Sequence, residues 1–310
     1  MAFPVHDSRQ YIEMIGALEE KARADHRASQ QKSLSAIDRF KRKFRRKPTQ
    51  PASPPARSYT VMKNIPDNDL ALDRGTAADR GTLYFSDKTI AVYTALFGSY
   101  DDLTEPLITP DNIRYFVITD QKVPENSKWE PISPDAVLPD DIKGDDIMSN
   151  RWCKMHPHLL FPEFDQSVYC DANIHIVSDM TPLTAGLGDY PLAMFRHKRR
   201  DCVYDEVYAC ITQRKASESD LRRHEDRLKS AGIPDHWGLL EAPIIARSHK
   251  DPLCIQLMDC WWDLFCSGSR RDQLSLIETL WHHNIPPETV GTLGGNVTGC
   301  RLFIMMAHRT

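Results

Sequence analysis

The apolar run Ser167-Val168-Tyr169-Cys170 ends in Asp171-Ala172-Asn173, the strongest chemical signal in the sequence. A strand that ends this way sets one carboxylate and one amide oxygen at the carboxyl edge of a sheet. Hard oxygen donors of that kind suit Mg2+ or Mn2+ held together with the phosphates of a substrate. Asp and Asn are also common turn residues after any strand, so the tripeptide alone leaves both readings open. Arg151, Lys154, His156 and His158 share one short segment upstream, where cationic or neutral donors would suit a diphosphate. Pro157 breaks the helical spacing of His156 and His158, and the glutamate of a zinc hydrolase motif is missing, so zinc hydrolysis fits poorly.

Other basic groups follow strand-like runs. Arg196, His197, Lys198, Arg199 and Arg200 come directly after Leu192–Phe195, and Arg247-Ser248-His249 follows Ala242–Ala246 in the same way. Such clusters suit a nucleotide diphosphate or a uronate, and they equally suit a solvated basic turn. Arg270-Arg271-Asp272-Gln273 opens a helix, where Asp272 serves as a cap or points at an acceptor hydroxyl. Trp237, Trp261 and Trp262 read as core more readily than as sugar-stacking platforms. Dinucleotide, Walker-type and Gly-x-Ser-x-Gly loops are all missing from the sequence.

Short β-branched or aromatic runs at 89–95, 114–120 and 167–170 predict buried strands, the first two parallel. Further strands at 192–195 and 242–246 alternate with helices at 203–211, 217–230, 254–266 and 271–282, and 150–160 begins as helix. Residues 125–146, acidic and proline-rich, read as an exposed excursion. This alternation predicts an α/β fold with its ligand site at the carboxyl ends of the strands.

The 310 residues carry 39 Lys+Arg against 43 Asp+Glu, and that near balance hides a split. Met1–Ser58 holds 13 basic and six acidic residues, and the remainder is strongly acidic. The first segment, 1–58, reads as a helical extension ending in a proline-rich linker; the body, 59–310, reads as one large domain. Seven of the nine residues from Arg39 to Lys47 are basic, interrupted by Phe40 and Phe44. That stretch suits an anionic lipid surface better than nucleic acid, because no other part of the chain is basic. A solvated helix end explains it equally well. The longest apolar run near the end, Leu302–Ala307, is far too short to span a bilayer, and the first residues lack the apolar stretch of a signal peptide. The expectation is therefore a cytoplasmic protein, held peripherally at the inner membrane face. Eight cysteines without a Cys-x-x-Cys pair predict reduced thiols.

Together the segments Arg151–Pro162, Val168–Ile174, His197–Glu206 and Trp261-Trp262 with Ser269–Ser275 resemble the glycosyltransferase-like domain of plant mucilage-related proteins and bacterial capsule-associated relatives. The likeness runs in order from about Thr89 to about His283. It implies a GT-A-type α/β fold, a mixed, mainly parallel sheet flanked by helices, that uses a nucleotide-sugar donor and a divalent cation. By resemblance, Asp171 and Asn173 occupy the Asp-x-Asp position, with Asn replacing the second acid. His308 is placed like the C-terminal metal-ligating histidine, so the implied cation set is Asp171, Asn173 and His308 with Mn2+ or Mg2+. Asp272-Gln273 looks like the late element beside the reacting sugar. The implied donor set is Arg151, Lys154, His158, Asp171, Arg196, His197, Arg247 and Gln273. Asp272 and Glu206, or Glu241, would act at the acceptor or the developing cation. The implied partners are a UDP-type donor, with a uronic acid suited to the basic groups, and a glycan or lipid-linked acceptor. Two other readings stand beside this one: a lipid amide hydrolase, since a plant relative is described as a ceramidase, and a non-catalytic nucleotide-sugar or glycan-binding module.

Overall fold

Ile90–Leu96 (β1) is buried at all its positions, which explains why it carries no polar face. In the computed structural model, which describes residues 88–98, 101–184, 187 and 190–308 with isolated positions at 17, 20, 21 and 24, this strand lies at the middle of a six-stranded sheet. The helix, linker and membrane-binding segment expected within 1–58 lie outside the described residues, apart from those isolated positions.

The other strands of the sheet are β2 (Ile113–Thr119), β3 (Trp129–Ile132), β4 (Gln166–Cys170), β6 (Leu192–Arg196) and β7 (Leu240–Arg247). They stand in the order β3-β2-β1-β4-β7-β6. β3, β2, β1 and β4 pair in parallel, whereas β7 runs antiparallel to both its neighbours. The expected mixed, mainly parallel α/β sheet is therefore present, and one strand in it is reversed. A second ladder joins β5 (Ile174–Ile176) to β8 (Phe303–Met305), antiparallel. Neither strand was foreseen, because each has three residues and their partners lie far apart in the chain.

The pleat divides the core in two. Ala91, Tyr93 and Ala95 of β1 pack toward the helices α1 (Asp146–Met155), α4 (Pro252–Ser267) and α5 (Asp272–His282), through Trp152, Trp261 and Leu274. Ile90, Val92 and Leu96 face the β5–β8 ladder and the Leu293–Leu302 stretch. The remaining long helices are α2 (Val203–Thr212) and α3 (Glu218–Ser230), which pack with the first group through Val207 and Leu221. Helix starts follow local chemistry: Asp145, Ser217 and Asp251 each accept a backbone N–H at an N-cap, and Pro252 takes the first turn of α4. Gly98, with φ +62, ends β1 where a Cβ would stand 2.7 Å from Asp146 Oδ2, so the exit needs glycine.

The acidic excursion at 125–146 is more ordered than expected. It holds β3, whose Trp129 is buried edge-on against Tyr115 at 5.6 Å. Pro131 hid this strand, since proline in a strand is tolerated only where no inner neighbour needs its N–H, as at the sheet edge. All eight cysteines are free thiols, six of them buried. Among the described residues no helix is long and apolar enough to cross a membrane.

Arg247 shows what the reversed strand does. It is fully buried and donates to the Lys154 carbonyl (2.6 Å), the Tyr93 hydroxyl (2.6 Å) and Met258 Sδ (3.3 Å). Arg247→Ala should lower unfolding stability by about 2–4 kcal/mol, since it leaves a cavity and removes the buried hydrogen bonds to the Lys154 carbonyl and the Tyr93 hydroxyl. Arg247→Met, which keeps the volume, should cost less. Urea unfolding measures both, and equal losses would contradict this account of the core.

Candidate functional site

The carboxyl edge of the sheet is built from the ends of β1, β2, β4 and β6 and, because it is reversed, the beginning of β7. Asp171 leaves β4 there, with its backbone N–H donating to the Pro243 carbonyl of β7 at 2.8 Å. Tyr169 lends its hydroxyl to Asp171 Oδ1 at 2.9 Å. Lys154, near the end of α1, stands between two acids: Nζ is 2.9 Å from Asp272 Oδ2 and 3.6 Å from Asp171 Oδ1. It is only 1% exposed, and its ammonium lies 5.0 Å from the Tyr169 ring. Arg151, one helical turn earlier, places Nε 3.1 Å from the same Asp272 oxygen. A buried lysine must be paired, and this one is paired across three elements.

Asp272 begins α5 and is itself buried. Oδ2 takes Lys154, Oδ1 accepts the Gln273 N–H at 3.2 Å, and its carbonyl accepts Trp261 Nε1–H at 2.9 Å. Burial opposes its charge, yet Arg151, Lys154 and Arg271 outweigh burial and hold the carboxyl far below its ordinary range. Expected as the group touching acceptor or sugar, Asp272 instead has both oxygens engaged and holds the cations in place. Arg151, Lys154 and Arg271 thus act together on one carboxylate.

On the other side of Asp171 the chain's end returns. Asn173 and Met306 exchange two hydrogen bonds, Asn173 Nδ2 to the Met306 carbonyl and Met306 N–H to the Asn173 carbonyl, each 2.8 Å. Together with the β5–β8 ladder this brings His308 back to the edge, where its Nδ1 lies 3.0 Å from Asp101 Oδ2. The Asp101 hydrogen bond raises the His308 pKa, and Asp171 adds to the effect. Asn173 Oδ1 is a buried acceptor without a hydrogen-bond partner. A carboxylate, an unsatisfied amide oxygen and an imidazole match the preferences of Mn2+ or Mg2+. Among the described residues no three His, Cys, Asp or Glu side chains gather into a closed cage. Asp171, Asn173 and His308 are the residues that would hold such a cation, and oxygen donors from outside the protein would have to fill its remaining positions.

A tight crevice without room for a water molecule adjoins Asp171. Thr94, Leu103, Thr104, Trp129, Cys170, Ala172 and Ile174 complete its lining. The Thr94 and Thr104 hydroxyls are buried without hydrogen-bond partners. These threonines, Tyr169, Asn150 (Nδ2 to the Ala95 carbonyl, 2.7 Å) and Asp101 were missed by sequence reasoning. Asp101 alone gave a signal, as an acid just beyond the first strand.

At the β6 end, Arg196 is positioned by its N–H to the Gly294 carbonyl (2.8 Å) and by Gly291, where a Cβ would meet its Cγ at 2.5 Å. His197 is pushed down to about 4 by burial and the nearby Arg200, so it is neutral near pH 7. Gln273 spans to the Leu240 carbonyl (2.9 Å), tying α5 to this end of β7. Glu241 lies beside His197, and burial raises its carboxyl above the usual range.

Three expected residues stand elsewhere. Arg247 ends β7 at the opposite edge, because that strand is reversed, and is sealed in the core. His158 faces Asp259 of α4 at 3.8 Å. Glu206 is 1% exposed, paired with Arg200 at 2.5 Å and accepting from Cys210, so it braces the 197–206 turn and is not presented to a substrate. A separate network, Ser269 Oγ to His224 Nδ1 (2.8 Å) and His224 Nε2 to Glu278 (3.3 Å), has the order of a nucleophile, base and acid. All three side chains are buried and Arg227 also takes Glu278, so the network braces the turn before Asp272.

Because the folded pKa of Asp272 lies below the unfolded one, the unfolded chain takes up a proton near pH 4 that the native state refuses. The stability contributed by this charge is fully present above that pH and is lost as pH falls. The stability gap between wild type and Asp272→Asn should narrow from about pH 5 to pH 2, at up to about 1.4 kcal/mol per pH unit. A gap that stayed constant in urea unfolding would contradict the ionic assignment.

Comparison with known proteins adds the following. No curated protein matches the chain in sequence. Two solved structures are similar in outline. One is the apo form of the bifunctional glycosyltransferase WbbM, at 11% identity and a TM-score of 0.41 over 66% of this chain and 39% of that chain. The other is the galactosyltransferase LgtC with donor and acceptor sugar analogues, at 13% identity and a TM-score of 0.33 over 62% of this chain and 70% of that chain. The chain thus spans about two fifths of the length of WbbM. Residues 137–290, which carry Arg151, Lys154, Asp171, Arg196 and Asp272, match the family model TOD1/MUCI70, glycosyltransferase-like domain, and the likeness read from the spaced motifs is to this family.

Proposed function

We propose that the carboxyl edge around Asp171 binds a nucleotide-sugar donor, UDP-linked, and transfers its sugar to a glycan or lipid-linked acceptor. The observation that carries this reading is the pair of cations Arg151 and Lys154 gathered on the buried Asp272 beside Asp171, with Arg271 acting on the same carboxylate, at a strand exit. A nucleoside diphosphate is an anion that such cations suit.

In this mechanism the partly exposed Arg151 meets the charge that grows on the departing diphosphate, the buried Lys154 adds positive field from behind it, and Asp272 sets the geometry of both beforehand. Asp171, Asn173 and His308 would hold a divalent cation, Mn2+ or Mg2+, which when bound adds Lewis-acid neutralisation of the same charge. Glu241, with its raised pKa and its place at the start of β7, is the carboxyl group best suited to orient an acceptor hydroxyl. Arg196, at the end of β6, would pair with the carboxylate of a uronic acid. The commitment of Asp272 and Glu206 to internal partners favours one second reading, a module that binds nucleotide-sugars without turning them over. The basic segment 39–47 would hold the protein at an anionic, cytoplasmic membrane face, and 59–310 would form the catalytic body.

Calorimetry with UDP, with and without Mn2+, tests the reading. Wild type should bind UDP more tightly with Mn2+, and Lys154→Ala should weaken binding at least tenfold. The absence of nucleotide binding in every condition would overturn it, whereas tight binding without donor hydrolysis would select the binding module. A donor-hydrolysis screen across UDP-sugars should favour acidic sugars, and equal use of neutral ones would remove the uronate assignment. Deleting residues 1–58 should leave UDP binding intact and reduce sedimentation with anionic liposomes. Loss of UDP binding in that variant would contradict this division of labour.

A further inference from the structure

Asp101 and His308 are 207 positions apart, yet both oxygens of the buried Asp101 carboxylate lie within 3.1 Å of His308 Nδ1. The imidazole itself is about half exposed. An exposed histidine near a chain end does not need a buried acid for the fold. The backbone just before it is already tied down by the β5–β8 ladder and by the Asn173–Met306 exchange. What Asp101 adds is orientation of the ring beyond that anchor, and its choice of nitrogen: with Nδ1 committed, any ligation by His308 falls to Nε2.

We propose that Asp101 is the positioning residue for the cation-binding half of the donor site, acting through His308. Carboxylate-to-histidine hydrogen bonds fix the tautomer and direction of a metal-ligating imidazole, and their loss typically weakens metal affinity by 10–100-fold. Asn173, two residues after Asp171, donates its side-chain N–H to the Met306 carbonyl, two residues before His308, and its buried Oδ1 has no hydrogen-bond partner. Asp101 therefore ties the loop after β1 to His308, while the Asn173–Met306 exchange ties the segment before His308 to the exit of β4. This inference rests on the donor-binding reading above.

The test is calorimetric titration of UDP in the presence and absence of Mn2+ into wild type, Asp101→Ala, Asp101→Asn and His308→Ala. The readout is the ratio of the two affinities. Asp101→Ala should reduce that ratio about 10–100-fold, close to the effect of His308→Ala, with metal-free UDP affinity unchanged. Asp101→Asn keeps an acceptor of the same shape and should fall between, and it keeps the test readable if the alanine variant fails to fold. A merely structural role would change metal-free UDP affinity or the melting temperature and spare the ratio. A wild-type ratio in both Asp101 variants beside a reduced one in His308→Ala would overturn the inference and leave the donor site standing. UDP binding by wild type that ignores Mn2+ would overturn the inference and the cation assignment together, and no UDP binding at all would remove the donor reading itself.

Discussion

The rest of the site depends on the burial of one ammonium group. Lys154 is almost wholly removed from water and lies between Asp272 and Asp171. Desolvating such a charge is expensive, and the cost is offset only when partners are close and well placed. That requirement fixes the relative positions of α1, the β4 exit and the start of α5. Arg151 joins from the same face of α1, and Trp261 holds the Asp272 carbonyl from α4. Buried ion pairs of this kind contribute modestly to net stability, and replacing them with apolar residues is often neutral. Their presence at a sheet edge is what the donor-binding proposal accounts for.

Two features of topology then decide which side chains can join this cluster. The reversal of β7 sends Arg247 to the far edge and brings Leu240 and Glu241 to the near one. The pairing of β5 with β8 carries the last residues of the chain back across the sheet to Asp101. The edge is consequently divided: cations and Asp272 on the α1 and α5 side, Asp101, Asn173 and His308 on the other, with Asp171 between them.

Much of this could be read in the sequence, and the limits have physical causes. β1, β2 and β4 were legible because fully buried strands are short apolar runs, and Asp171 followed from the run that precedes it. Strand direction is not encoded in such a run. Arg247 after an apolar segment therefore resembled Arg196 after another, although the two point to opposite edges. Pairings over long separations, Asp101 with His308 or Ile174–Ile176 with Phe303–Met305, leave almost no local trace. Glu206 and Asp272 had the right type and spacing for chemistry, but their internal partners, Arg200 for the one and Arg151 with Lys154 for the other, appear only in three dimensions.

The central claim is that the edge around Asp171 and Lys154 is a nucleotide-sugar diphosphate site. A crystal soaked with Mn2+ and a UDP-sugar tests it most directly, because donor, cation and side chains are then located in one map. The account predicts the diphosphate within hydrogen-bond reach of Lys154 or Arg151, with Mn2+ against Asp171. A donor bound elsewhere on the molecule, or a map showing this edge without it at saturating concentration, would contradict it.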